Sequence, residues 1–128
     1  MPQLTLEGKV FSGKGTGKRF IDLPWVKRQI QNMLDFTPYS GTLNIQLTPE
    51  SKEKRKNLNP AKGMMVEPEK GYYSGVLFKA VINTLNCAVV IPITPNYPSD
   101  VLEVISPLYL RVQLGLTDGS LVAVAVTF

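Results

Sequence analysis

Thr42-Leu43-Asn44-Ile45-Gln46-Leu47 alternates polar and apolar residues through all six positions. An extended backbone sends Leu43, Ile45 and Leu47 to one face and Thr42, Asn44 and Gln46 to the other. The turn-rich Phe36-Thr37-Pro38-Tyr39-Ser40-Gly41 leads into this strand. Working outward, further short strands are expected over residues 4–12, 72–82, 86–91, 101–105 and 121–128. Turns are marked near Asn83 and at Thr117-Asp118-Gly119. Phe20-Ile21-Asp22-Leu23 reads as a short returning strand.

Only two helices are expected. Pro24 opens the first in a position where proline is tolerated, and Val26, Ile30, Met33 and Leu34 form its apolar stripe. Trp25 beside the stripe belongs to the core or its rim. Ser106-Pro107 begins the second, with Ser106 as its cap, and Gly115 stops it. Pro92, Pro95 and Pro98 stiffen a loop over residues 93–100, and prolines so spaced do not suit a central strand. Residues 48–70, with Lys52-Glu53-Lys54-Arg55-Lys56-Asn57, read as a long surface excursion able to serve as a lid. Many short strands with few helices indicate an all-β fold, a closed β-barrel with minor helices, rather than a βαβ sheet.

At 128 residues the chain is expected to be one domain, 1–128, with 44% hydrophobic and 19% charged residues as in soluble globular proteins. No apolar run reaches the length of a membrane span, and no signal sequence opens the chain, so a cytoplasmic protein is expected. The lone Cys87, beside Ala88-Val89-Val90-Ile91, allows no internal disulfide and reads as a buried core residue. The chain has no histidine, which excludes a Ser-His-Asp triad, a Cys-His pair and the usual zinc sites. A metal would sit among oxygen ligands, as magnesium or calcium does. The net charge of +4 favours anionic partners.

Ser12-Gly13-Lys14-Gly15-Thr16-Gly17-Lys18-Arg19-Phe20 places three glycines among three cations and a hydroxyl. Two readings fit: a flexible hairpin turn, or a loop whose N–H groups cradle phosphate while the cations supply charge. It is not a Walker A loop, because Gly13 and Gly17 are one residue too close and Arg19 replaces the magnesium-binding hydroxyl. Thr42 and Asn44 leave one face of their strand with α-carbons roughly 7 Å apart. They are either solvent-facing residues or neutral hard ligands for a magnesium ion that takes its negative charge from substrate phosphates. The glycine stretch, the polar face of this strand and the segment from Asn96 to Arg111 are expected to converge at one barrel mouth.

Glu7-Gly8-Lys9-Val10, the Ser12-Gly13-x-Gly15-x-Gly17 stretch, Leu23-Pro24, Pro38-Tyr39-x-Gly41-Thr42-Leu43-Asn44, Ile91-Pro92, Leu110-Arg111 and Leu116-x-Asp118-Gly119 together make the sequence resemble the archaeal CTP-dependent riboflavin kinases over nearly its whole length. The resemblance implies a six-stranded Greek-key barrel of the cradle-loop type. It implies transfer of the γ-phosphate of CTP to the 5′-hydroxyl of riboflavin, giving FMN and CDP, with Mg2+ as cofactor. It further implies nucleotide binding by Gly13, Lys14, Gly15, Thr16, Gly17, Lys18 and Arg19 and by Leu108, Tyr109, Leu110 and Arg111. Thr42 and Asn44 would hold the metal, and Asn96 and Glu103 the flavin. Glu103, set in an apolar strand, could also take the 5′-hydroxyl proton, or be a solvent-facing carboxylate; Arg111 is a candidate for charge neutralisation in the reaction. Asn96 stands where threonine is expected and Tyr109 where lysine is expected.

The expected protein is a monomer that meets neither nucleic acid nor membrane. Two other readings remain: a flavin- or nucleotide-binding barrel without catalysis, and a nucleic-acid-binding barrel. The net charge and the Lys52 to Lys56 cluster motivate the last; interspersed Glu50, Glu53, Glu67 and Glu69 and the lack of an aromatic-basic stripe oppose it.

Overall fold

In the computed structural model, which describes residues 2–128, the alternation around Thr42 becomes strand β2 (Leu43–Leu47). Its apolar residues enter the barrel interior and its polar residues face outward. β2 pairs with β1 (Gln3–Phe11) on one side and β6 (Val101–Ile105) on the other. β6 pairs with β5 (Leu85–Pro92), and β5 with β4 (Gly75–Ile82). β7 (Leu121–Thr127) closes the ring by pairing with both β4 and β1. Six antiparallel strands therefore run β1-β2-β6-β5-β4-β7 around the barrel, and the short β3 (Met64–Val66) extends β4 outside it. After the β4-β5-β6 meander the chain returns to place β7 beside β4, the spatial order of a Greek key.

Two apolar clusters hold this arrangement. Leu6, Val10, Ile45, Phe78, Val89, Leu102 and Val124 are among those filling the interior. Outside the wall, Leu77, Ala88, Val90 and Ile105 meet Ile21, Trp25, Val26 and Ile30. Because β4 and β5 bury both faces, they carry nearly continuous apolar runs. Helix α2 spans Pro24–Leu34 with Pro24 in its first turn, as its spacing predicts. Trp25 lies edge-on to Phe20 and Tyr72, with ring centres 6.1 and 5.3 Å away. Cys87 is buried, which pushes its thiol up to about 12 and leaves it unreactive.

Several expectations are corrected. Phe20-Ile21-Asp22-Leu23 is not a strand; residues Thr16–Asp22 form helix α1, which buries Ile21 against the outer wall. Leu23 then takes an extended conformation before Pro24, as a residue preceding proline prefers. The 48–70 excursion contains helix α3 (Pro49–Arg55), a 3-10 turn (Pro60–Lys62) and β3. Thr48 caps α3 by accepting from the Ser51 N–H at 3.1 Å, with Pro49 and Glu50 in the first turn and basic residues in the last. Lys54 and Lys56 pair with Glu50 and Glu53 at 3.7 and 3.0 Å, so much of the charge cluster is answered locally. Ser106 does not cap a helix: it accepts from the Leu108 N–H at 3.1 Å, and α4 (Leu110–Gln113) begins only beyond Tyr109. The helices thus number four among the described residues, not two. None of them is long and apolar enough to cross a membrane.

Candidate active site

Residues expected at a barrel mouth gather instead on the outer face of the barrel wall. Asn44 and Glu103 are direct partners across the β2–β6 ladder, on the side opposite Leu43, Ile45, Leu102 and Val104. The 12–15 loop and α1 pack over this face. A β-carbon on Gly17 would lie 2.1 Å from Glu103 Oε1 and 2.6 Å from Thr42 Oγ1, and one on Gly13 would lie 2.7 Å from Asn44 Nδ2. At either position a β-carbon would require the polar side chains below to move, because the backbone rests directly on them. Gly15, at φ 83, turns the chain into α1. The first N–H groups of α1 have no acceptor within the helix.

Glu103 is 8% exposed, so the solvent-facing reading does not hold. The Thr42 hydroxyl donates to its Oε1 at 2.9 Å, and the Tyr97 hydroxyl donates to Oε2. Burial, and then the bond to Glu103, raises the Tyr97 phenol well above its ordinary range, so it remains a donor.

Two cavities meet at this cluster. The more polar one, of about 760 Å³, is lined by residues 11–18, Thr42, Asn44, Glu103, Tyr97, Tyr109 and Arg111 among others. An apolar one of about 460 Å³ is lined by Phe20, Leu23, Tyr72, Tyr73, Val90 and Pro92 among others. Thr16, Gly17, Thr42, Tyr97 and Glu103 belong to both.

Of the residues expected to bind nucleotide, Gly13, Lys14, Gly15, Thr16, Gly17, Lys18, Tyr109 and Arg111 line the polar cavity. Arg19 lines the apolar one. Leu108 and Leu110 border a small neighbouring cleft with Tyr39, Thr42 and Arg111. Lys18 is paired with Asp22 at 3.0 Å, and with Ser40 this holds the Asp22 carboxyl below its usual range. Arg111 donates to the Phe11 carbonyl at 3.2 Å and to Asp118 at 2.8 Å. The Arg111 bond, then that from Ser12, keeps Asp118 low. This guanidinium therefore ties the end of β1 to the 117–119 turn at the cavity edge. Asn96 is exposed at φ 64, and its neighbour Tyr97 is the residue that reaches Glu103.

Tyr97 is a part of the site without a clear signature in sequence, while Tyr109, expected at the nucleotide site, stacks on Tyr39 with ring centres 4.7 Å apart and planes 7° from parallel. The available hint for Tyr97 was an aromatic held between Pro95 and Pro98.

No group of three or more Cys, Asp or Glu side chains able to hold a metal occurs among the described residues. The oxygens present are the Thr42 hydroxyl, the Asn44 amide and the Glu103 carboxylate. Thr42 sends its proton to Glu103 and keeps its lone pairs for a cation. A hard cation that retains most of its waters fits this donor set; a thiophilic one does not.

The family model described as CTP-dependent riboflavin kinase, domain of unknown function DUF120, matches residues 10–126. A riboflavin kinase of Archaeoglobus fulgidus is 38% identical over 127 residues, covering 96% of this chain and 54% of its own length. One of Pyrobaculum aerophilum is 40% identical over 130 residues, covering 96% and 60%. One of Sulfurisphaera tokodaii is 39% identical over 129 residues, covering 96% and 95%. The chain spans between half and three-fifths of several of these relatives and nearly all of the last. On the match across residues 10–126 and these identities, the chain belongs to the CTP-dependent riboflavin kinase family.

Proposed function

We propose that this barrel, acting as a single catalytic domain, transfers the γ-phosphate of CTP to the 5′-hydroxyl of riboflavin, releasing FMN and CDP. The observation that carries this reading is the shared wall: a polar cavity fit for a nucleotide and an apolar one fit for a tricyclic ring touch along Gly17, Thr42, Tyr97 and Glu103. Phosphoryl transfer needs the acceptor oxygen, phosphorus and leaving oxygen in line and their charge neutralised. Two compartments meeting at one carboxylate suit that requirement.

In this reading the loop from Gly13 to Lys18 holds the phosphates with backbone N–H groups and Lys14. Arg111, fixed by Asp118, adds charge at the cavity edge, and Tyr109 and the 108–111 segment border the base. Thr42 and Asn44 hold Mg2+, which when bound neutralises the phosphate oxygens. The isoalloxazine ring lies among Phe20, Tyr72, Tyr73 and Val90, and the ribityl chain runs toward Glu103. With Thr42 and Tyr97 donating to it, Glu103 orients the acceptor hydroxyl through its remaining lone pairs. A loose transition state asks little more of a base. Asn96 lines neither cavity, and its place at the flavin rests on the family resemblance alone. Preference for CTP over ATP rests on the family name, since glycines that cradle phosphate carry no information about the base.

The test is to incubate the protein with riboflavin, magnesium and each nucleoside triphosphate in turn and to measure FMN. FMN formed from CTP and far less from ATP is expected; no FMN from any triphosphate would contradict the proposal.

A further inference from the structure

Arg55 ends α3, outside the polar and apolar cavities described above, yet it is tied to their shared wall. Its Nη1 donates to the Pro98 carbonyl at 3.3 Å, and its guanidinium carbon lies 5.7 Å from the centre of the Tyr97 ring, within cation–π range. Its Nε is buried without a hydrogen-bond partner. Burial disfavours its charge, while Tyr97 and Asp100 favour it. A cation that gives up solvation and leaves a donor unpaired is poorly explained by its own bonding. What it supplies is a hold on the loop that carries Tyr97.

That loop is anchored at its ends by other means. The Ile93 N–H donates to the Ser74 carbonyl at 2.9 Å. Gln46 donates to the Asp100 carboxylate at 2.6 Å, and the Leu47 N–H to the Asp100 carbonyl at 2.7 Å. Between these anchors Arg55 meets both the Pro98 backbone and the Tyr97 ring.

We propose that Arg55 is a positioning residue. It holds Tyr97 so that the phenol stays on Glu103, and thereby fixes the carboxylate to which Thr42 also donates. Its effect on turnover rests on the kinase reading; its effect on the Tyr97 hydroxyl does not.

The experiment follows the downfield hydroxyl proton of Tyr97 by NMR, identified by its loss in Tyr97→Phe, together with FMN formation. Arg55→Met, which keeps the bulk of the stem, should fold and broaden that resonance beyond detection; Arg55→Lys, which keeps a cation and a donor, should retain it. If the Met variant does not fold, Arg55→Gln is read in its place with the same expectation. Arg55→Met should lower kcat about tenfold, as a slightly misplaced group can, with the KM for CTP within about twofold. In a Tyr97→Phe background the same change should cost less than about twofold, since both residues act through one hydroxyl. An unchanged resonance in folded Arg55→Met, or equal losses of kcat in the two backgrounds, overturns the assignment. Loss of the resonance in a protein that makes no FMN upholds Arg55 and removes the kinase reading instead.

Discussion

The two faces of β2 and β6 carry different burdens. Inward, Leu43, Ile45, Leu102 and Val104 are each at most 5% exposed and are packed in the barrel core. Outward, one residue away along the same backbone, Thr42 and Glu103 stand in the wall between two cavities and Asn44 lines the more polar one. A ladder fixed by apolar burial on one side thus holds chemistry on the other without needing those polar side chains for its stability. Substitutions on the two faces should therefore fail differently.

The largest effect is expected inside. Ile45→Ala should lower unfolding free energy by about 2–5 kcal/mol, read by denaturant titration, while the fraction that remains folded keeps its turnover. A stable Ile45→Ala protein with lost activity would erase the division. Gly17→Ala sharpens it from the other side. Alanine favours a helix over glycine by up to about 1 kcal/mol, which offsets part of what the overlap costs, so the protein should still fold. Yet the new methyl group meets Glu103 and Thr42 and must displace them, so turnover should fall about a hundredfold, or 2.7 kcal/mol of barrier. Full activity in Gly17→Ala would show that the carboxylate need not stand where it does.

Smaller effects follow at the edges. Arg111→Ala should raise the KM for CTP about tenfold and leave that for riboflavin unchanged, the low end expected for a charge-assisted bond because Asp118 already shares the guanidinium. Calorimetry with CDP checks this directly. Asp118 is held low by Arg111, so whatever the pair contributes to the folded state is present above the ordinary aspartate pKa and is lost only as pH falls through the lower folded value. Smallest of all is Cys87, on the inward face of β5. At pH 8 the native protein should show no thiol reaction with a disulfide reagent, and one equivalent should react after unfolding. Rapid labelling of the folded protein would contradict its burial.

How much of this was legible beforehand follows the same division. Period-two alternation in Thr42 to Leu47 announced both faces of β2, because a strand writes its burial into adjacent letters. Pro24 and a four-residue apolar stripe announced α2. By contrast α1 has seven residues and one fully buried side chain, too few for a helical period to show, and Phe20-Ile21 looks like strand. In α3 the charge run from Lys52 to Lys56 suggested a solvated excursion, and the helix that Thr48 caps was not read there. The glycine spacing left a plain turn and a phosphate loop both open, whereas the contacts of Gly13 with Asn44 and of Gly17 with Thr42 and Glu103 are set by residues 25 or more positions away. Tyr97 and Arg55 could not be paired in sequence, since only folding of the 93–100 loop onto α3 brings them together.

The most direct test of the outward face is turnover measured against magnesium concentration for Thr42→Val, Asn44→Leu and the double variant. Each change keeps approximate size and suits or tolerates a strand, so the barrel should persist by circular dichroism and thermal melting. Either single change should lower turnover at least tenfold, about 1.4 kcal/mol of barrier, and shift half-saturation to higher magnesium. The double variant should be little worse than the weaker single one, because both residues serve one ion, and riboflavin affinity should change far less than rate. Folded variants whose magnesium curves match the wild type would contradict the account and remove the metal from Thr42 and Asn44.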